Sequence, residues 1–257
     1  MLEIFEKAAL AAGETIMMVY NAGCTVALKA DRSPVTVADE KAEAIILAHL
    51  AAAFPEIPVI AEEAMAAGHK PKVKDAFFLV DPLDGTREFI EGRREFTVNI
   101  AYIEHGTPTA GIVYAPALGV AYVGDKSGAA KLDIDSNFKV RERLAITTRA
   151  SPTEKIALAS RCHDSPQTSD FLMREGITHC TNIGSSLKFC LLAEGKADIY
   201  PRFTRTMEWD TAAGDAVLRA AGGMTLTWEG LPLRYGKLGQ HDGDFSNGGF
   251  VCSGRGN

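Results

Sequence analysis

The stretch Ala76-Phe-Phe-Leu-Val-Asp81-Pro-Leu-Asp84-Gly-Thr86 is an apolar run that stops abruptly at two carboxylates and a glycine. Ala76 to Val80 have the length and the aromatic and β-branched content of a buried strand, and Pro82 and Gly85 are expected to end it. The acids then sit at a strand end. Two carboxylates three positions apart in a tight turn can converge on one point, where mutual repulsion raises a pKa unless a cation neutralises them. Oxygen-only ligands suit a hard ion, Mg²⁺ or Mn²⁺.

Two other readings compete. Asp84 could cap a helix that begins near Thr86, with Asp81 a solvated strand end. Alternatively, haloacid-dehalogenase phosphatases close an apolar strand with Asp-x-Asp-Gly-Thr and use the first Asp as a nucleophile. Here Asp81 and Asp84 are separated by Pro82 and Leu83, one residue more, which turns one carboxylate out of that arrangement.

The chain of 257 residues can build one large domain or two modest ones. Its formal charge of −6 leaves no basic excess for a nucleic-acid backbone, although a few local cations suffice for a small phosphate ligand. Cys24, Cys162, Cys180, Cys190 and Cys252 are scattered, with no pair or Cys/His spacing suited to zinc, and read as small hydrophobes of a reducing compartment. The start has no basic region followed by an apolar signal core, and no apolar run approaches the ~20 residues of a membrane span. A cytoplasmic protein without an integral membrane segment is expected.

Leu2, Phe5, Ala9, Ala12, Ile16 and Val19 recur at helical spacing, so a first helix should end near Gly23. Thr25 to Lys29 reads as a short strand, Asp31 to Pro34 as a turn, and Val35 to Phe54 as a second helix with Asp39 in its first turn. Pro58 to Ala61 is a strand running into Glu62-Glu63. Neighbouring strand ends would bring those glutamates to the Asp81 cluster. A meander follows: Phe96 to Ile103, Thr109 to Tyr114, Val120 to Val123 and Gly128 to Asp133, with turns at His105-Gly106 and Pro116 to Gly119. The polar segment Asp135 to Arg143 is the expected boundary. It separates an N-terminal α+β half, residues 1–143, from a C-terminal α/β half, residues 144–257.

That second half alternates strands and helices: strand 155–160, helix 167–174, strand 176–182, helix 185–194, strand 197–200, helix 210–221 and strand 224–228. Gly184-Ser185-Ser186 opens a helix, as an anion site or as an ordinary serine cap. Trp209-Asp210-Thr-Ala-Ala-Gly214 also places an acid at a helix start. Its small Ala-Ala-Gly face admits the close approach of another element.

In that order, Glu62-Glu63, Asp81-Pro-Leu-Asp84-Gly-Thr86 and Trp209-Asp210-Thr-Ala-Ala-Gly214 resemble the inositol monophosphatase superfamily. Ser33-Pro-Val-Thr-Val-Ala-Asp39, Gly85-Thr-Arg-Glu-Phe-Ile90, Glu95-Phe-Thr-Val-Asn-Ile100 and Gly184-Ser-Ser-Leu-Lys-Phe-Cys190 are similar to its CysQ-type 3′(2′),5′-bisphosphate nucleotidases. The resemblance runs through nearly the whole chain and implies an α/β (α+β) fold, a layered αβαβα sandwich. It implies removal of the 3′-phosphate of adenosine 3′,5′-bisphosphate, with 3′-phosphoadenosine 5′-phosphosulfate as a further substrate, in sulfate assimilation.

The resemblance also carries site roles. Glu62, Asp81, the carbonyl of Leu83, Asp84 and Asp210 would hold two or three Mg²⁺, with Mn²⁺ as a substitute and Li⁺ as an inhibitor. Thr86, paired with Asp39, would orient the attacking water, and Glu62 would share in catalysis through its metal. Gly85 and Thr86 would meet the scissile phosphate, and Ser185, Lys188, Arg202 and His163 the nucleotide. For Lys188, Arg202 and His163 the plain alternatives are a solvated helix cation, a surface ion pair and a capping imidazole. Three positions depart from the pattern: Ala61 for glycine, Cys162 for serine, and Asn247-Gly-Gly-Phe250 for Asn-Pro-x-Phe, the last expected to touch only a turn.

The expected partner is a small nucleotide bisphosphate and no nucleic-acid polymer, with the protein a monomer or homodimer. The resemblance also allows peripheral association at the inner membrane, although no basic amphipathic stretch supports it. Competing functions are an inositol monophosphatase or fructose-1,6-bisphosphatase of the same fold, a phosphoaspartyl phosphatase, and a non-catalytic nucleotide or metal sensor.

Overall fold

The computed structural model describes residues 1–23, 26–28, 34–73, 75–160 and 165–255. Helix α1 (Leu2–Ala22) is followed by the strand pair β1 (Val26–Leu28) and β2 (Pro34–Thr36), then by helix α2 (Val37–Ala53). Helix α2 begins two residues later than the sequence suggests. Thr36 accepts from the Ala38 N–H, and the Asp39 side chain returns to the Thr36 backbone, a reciprocal cap that fixes the start.

Seven strands form the first sheet: β3 (Val59–Ala61), β4 (Ala76–Asp84), β5 (Thr97–Glu104), β6 (Thr107–Ala115), β7 (Val120–Asp125), β8 (Gly128–Ile134) and β9 (Val140–Ile146), side by side in that order. Strands β3 and β4 are parallel, and each later neighbour is antiparallel. Two short helices interrupt it, α3 (Glu62–Ala66) after β3 and α4 (Thr86–Ile90) after β4.

Here the structure corrects the expected strand end. Strand β4 does not stop at Val80 but runs through Pro82 to Asp84, because Asp81 pairs with Asn99 and Asp84 with Thr97. One extra residue on β4 makes a bulge. A proline has no N–H to give the ladder, and a bulge is where a sheet interior tolerates that loss. The polar segment expected as a boundary is also partly strand. Its end pairs with β8, and β9 continues to Ile146 as an exposed, charged edge.

The second sheet has the order β11 (His179–Ile183), β10 (Ile156–Ser160), β12 (Ile199–Arg202), β16 (Phe250–Ser253), β14 (Met224–Thr227). Helices α5 (Pro166–Arg174), α6 (Leu187–Ala193) and α7 (Ala212–Ala220) accompany it, and a two-residue pair joins β13 (Thr206–Met207) to β15 (Ser246–Asn247). The strands β13, β15 and β16 are additions to the sequence reading.

Packing turns these elements into five layers. Helices α1 and α2 cover one face of the seven-stranded sheet, α6 and α7 lie between the two sheets, and α5 lies on the second sheet's far side. Alternation along β4 explains why its run is apolar throughout. Phe78 and Val80 join the core beneath α1 and α2, whereas Phe77 and Leu79 join the core around α6 and α7. Asp81 falls on the second parity. The small face of α7 allows the expected approach, since a Cβ on Gly214 would lie 2.6 Å from the Phe189 ring on α6.

Candidate active site

The parallel pairing of β3 with β4 sets Ala61 beside Val80, so the chain leaves both strands at one edge. Glu62 opens α3 there, Asp81 continues β4, and Asp210 arrives just before α7. Each of the three offers a carboxylate oxygen within 4.8 Å of the others. Asp84 lies outside that triad but lines the same cleft, of about 280 Å³. Four acids from three parts of the chain, α3, β4 and the approach to α7, therefore share one small space.

That crowding has an electrostatic signature. Burial, then the charges of Glu62, Asp84 and Asp210, raises the Asp81 carboxyl well above the carboxylate range. Asp210 is raised in the same way, by burial and by Asp84 and Glu62, even though its Oδ2 accepts the Met207 N–H at 2.8 Å. Burial pushes Asp84 up to about 6 despite the opposing effects of Lys188 and of the Ser186 N–H, which donates to Asp84 Oδ2 at 2.6 Å. Acids held close, buried or half-buried, and acceptor-only once ionised form a donor set that fits a hard divalent cation.

Gly85 joins the bulge to α4 with φ 90°, and a Cβ there would sit 3.2 Å from the Glu95 carbonyl oxygen, so this turn requires glycine. It delivers Thr86 to Asp39. The Thr86 hydroxyl lies 3.1 Å from Asp39 Oδ1 and 3.2 Å from the Leu83 carbonyl, and its one proton serves one acceptor at a time. Asp39 Oδ2 meanwhile accepts from both the Thr36 N–H and hydroxyl, at 2.8 and 2.7 Å. Asp39 is thus more than a complement to the helix dipole: it links the start of α2 to Thr86.

The lining of the cleft also has a cationic part. Lys188, 3 % exposed, donates to the carbonyls of Ser185 at 2.6 Å and Ile183 at 3.1 Å, with the Tyr200 ring 5.2 Å away. Burial lowers its pKa to about 8, outweighing the nearby Asp84 charge. Arg202, 8 % exposed, donates to the Thr204 carbonyl, and both cations line the cleft. Neither is the solvated cation or surface ion pair that sequence alone allows.

Ser185 has φ 50°, an uncommon conformation for a residue other than glycine. Its hydroxyl is buried without a hydrogen bond among the described residues. No serine caps α6 by its side chain. The Ser186 hydroxyl instead meets Asn99 Oδ1 at 2.7 Å and Thr97 Oγ1 at 2.8 Å, so Ser186 ties β5 to Asp84. Asp210 likewise precedes α7 without capping it, because the capping position is Thr211. His163 and Cys162 lie outside the described residues.

Three supporting positions escaped the sequence reading. Thr97 and Asn99 are polar at alternate positions of an apolar strand, a signal that one face of β5 looks into a polar space. Asn247, expected to matter only to a turn, is 1 % exposed and donates to Thr211 Oγ1 at 3.0 Å, beside Asp210. No such alternation announces it.

The sequence profile of the inositol monophosphatase family matches residues 1–253, and the chain belongs to that family. Among its relatives, the 3′(2′),5′-bisphosphate nucleotidase CysQ of Escherichia coli O157:H7 is 44 % identical over 226 residues, 87 % of this chain and 89 % of the relative. The protein of the same description from Buchnera aphidicola is 38 % identical over 98 % of this chain and 93 % of its own. The crystal structure of CysQ from Bacteroides thetaiotaomicron superposes with TM-score 0.78 at 36 % identity, covering 96 % of this chain and 94 % of that one. An IMPase of Thermotoga maritima, at 24 % identity and TM-score 0.77 over 98 % and 91 % of the two chains, shares the fold.

Proposed function

We propose that this protein is a metal-dependent phosphomonoesterase that converts adenosine 3′,5′-bisphosphate to AMP and phosphate, with 3′-phosphoadenosine 5′-phosphosulfate as a further substrate. The observation that carries this reading is one small cleft lined both by clustered carboxylates and by the buried cations Lys188 and Arg202. Relatives with the bisphosphate nucleotidase description, matched over most of both chains, support the choice of substrate.

In this reading Glu62, Asp81, the Leu83 carbonyl, Asp84 and Asp210 hold Mg²⁺, which Mn²⁺ can replace. Bound there, the cations would neutralise charge on the phosphate and activate water, where uncatalysed hydrolysis needs accelerations up to ~10²¹-fold. Thr86 donates its hydroxyl hydrogen bond to Asp39, which leaves the oxygen's lone pairs to accept a hydrogen bond from the attacking water and orient it. Gly85 and Thr86 position the scissile phosphate. Lys188 and Arg202 bind the nucleotide's phosphates, and the Ser185 hydroxyl, which has no hydrogen bond among the described residues, finds a partner in the substrate.

Phosphate release from adenosine 3′,5′-bisphosphate and from inositol 1-phosphate, at equal concentration with Mg²⁺ or with a chelator, tests the substrate. Metal-dependent preference for the nucleotide is expected. Preference for inositol phosphate would reassign the substrate while keeping the site, and equal release with the chelator would remove the metal reading.

A further inference from the structure

Glu43 follows Asp39 by one helical turn on α2, on a face that otherwise buries Ala38, Ala42, Ile46 and Leu50. A carboxylate on an apolar face needs a reason, and this one is only 5 % exposed. Its two oxygens divide between two amides: Oε2 accepts the Glu63 N–H and Oε1 the Ala64 N–H, both at 2.8 Å. Those amides belong to the first turn of α3, where no intrahelical acceptor exists, and α3 has no side-chain cap of its own. Glu62 is the residue immediately before them.

A five-residue helix does not hold its own geometry. Charge-assisted bonds to two successive amides leave the backbone at Glu62 little freedom, and a carboxylate at a helix start is also favoured by the helix dipole. We propose that Glu43 is a positioning residue for the metal site, acting through the α3 start to hold the Glu62 carboxylate against Asp81 and Asp210. The inference rests on the reading of Glu62 as a metal ligand. Helix α2 then sets two parts of the site from one face: Asp39 places the Thr86 hydroxyl, and Glu43 places Glu62.

A purely structural anchor would lower the melting temperature and leave the folded protein's metal affinity alone. The test is Mn²⁺ titration of the full chain, with free ion read by electron paramagnetic resonance. Wild type is compared with Glu43→Gln, Glu62→Gln and the double variant, each below its melting temperature. Glutamine offers one acceptor oxygen where two amides converge, so Glu43→Gln should weaken Mn²⁺ binding about 10–100-fold. The Mg²⁺ needed for half-maximal phosphate release should rise by the same factor, with the nucleotide KM unchanged at saturating metal. If Glu43 acts through Glu62, the same substitution costs nothing further in the Glu62→Gln background. Should Glu43→Gln fail to fold, Glu43→Asp keeps the charge near the helix start, retracts it by one methylene, and is held to the same expectations.

Unchanged Mn²⁺ affinity in the folded Glu43 variant, or an equal loss with and without Glu62, would overturn the inference while the metal site stands. Absence of Mn²⁺ binding by wild type would overturn the metal reading itself and, with it, this inference.

Discussion

The acidic wall of the cleft and its cationic wall, which meet at Asp84 and Lys188, are destabilised in opposite senses. On the acidic wall, Asp81, Asp84 and Asp210 are raised because burial and mutual repulsion both disfavour their charged forms. On the cationic wall, burial depresses Lys188 to about 8, and the charge of Arg202 adds to the effect. Asp84 and Lys188 face each other as opposite charges, yet each is shifted toward its neutral form, so desolvation outweighs their attraction. In the proposed reading each set of charges awaits its countercharge: cations for the acids, an anionic ester for Lys188 and Arg202. The lesson is that stability and function separate at this site.

Removing a charge from the acidic wall should give the sharpest break. Asp84→Asn is expected to lower phosphate release by at least about 10²-fold, beyond what loss of a supporting residue usually costs. The same substitution should stabilise the metal-free protein at pH 7 by about 1–3 kcal/mol, because it removes a carboxylate whose pKa is raised to about 6 in the fold. Steady-state rates with Mg²⁺ and urea unfolding with a chelator measure the two effects.

Thr86→Ala should come next, with kcat down about 10²–10⁴-fold and little change in metal affinity, since it removes the hydroxyl that Asp39 orients and that is proposed to hold the attacking water. Thr86→Ser should restore most of the rate. A rate loss in the alanine variant that serine does not restore would point to packing instead.

On the cationic wall the effect should be smaller and of another kind. Lys188→Ala is expected to raise the nucleotide KM about 10–100-fold, the value of a charged hydrogen bond or two, with a lesser change in kcat. If kcat falls as steeply as for Asp84→Asn, the two walls do not divide their labour as described.

The smallest effect is a pH dependence. A carboxylate raised in the folded state contributes stability that is full below about pH 4 and lost as pH rises through about 6, which is the sign for Asp84. Metal-free stability attributable to Asp84 should therefore fall across that window. The stabilisation given by Mg²⁺ should grow across it, because the cation binds deprotonated acids. Melting temperatures of wild type and Asp84→Asn from pH 4 to 7, with and without Mg²⁺, measure both trends.

The acids of the site stand at interruptions visible in sequence, Glu62 after β3, Asp81 at the apolar run's limit and Asp210 before α7, but for Glu62 and Asp210 it is the ordered family pattern that marks them as ligands over an ordinary helix start. What proline means at Pro82 was not. A proline after an apolar run reads as a stop, and only the pairing of Asp84 with Thr97 across the sheet shows the strand resuming past a bulge. Edge strand β9 was hidden for the opposite reason. Its charged residues protect an exposed edge and so look like a linker. The buried states of Lys188 and Arg202 depend on how two sheets enclose α6, a long-range fact that local composition does not contain. Glu43 left a trace, an acid on an apolar helix face, but its two acceptor bonds to α3 are tertiary.

The most direct measurement is the melting temperature of wild type and Asp84→Asn at pH 7.5, each with a chelator and with Mg²⁺. A functional acidic wall predicts that the variant melts above wild type without metal and that Mg²⁺ raises wild type while leaving the variant nearly unmoved. If the variant melts lower without metal and both respond equally to Mg²⁺, the carboxylates are structural and the cleft is not a metal site.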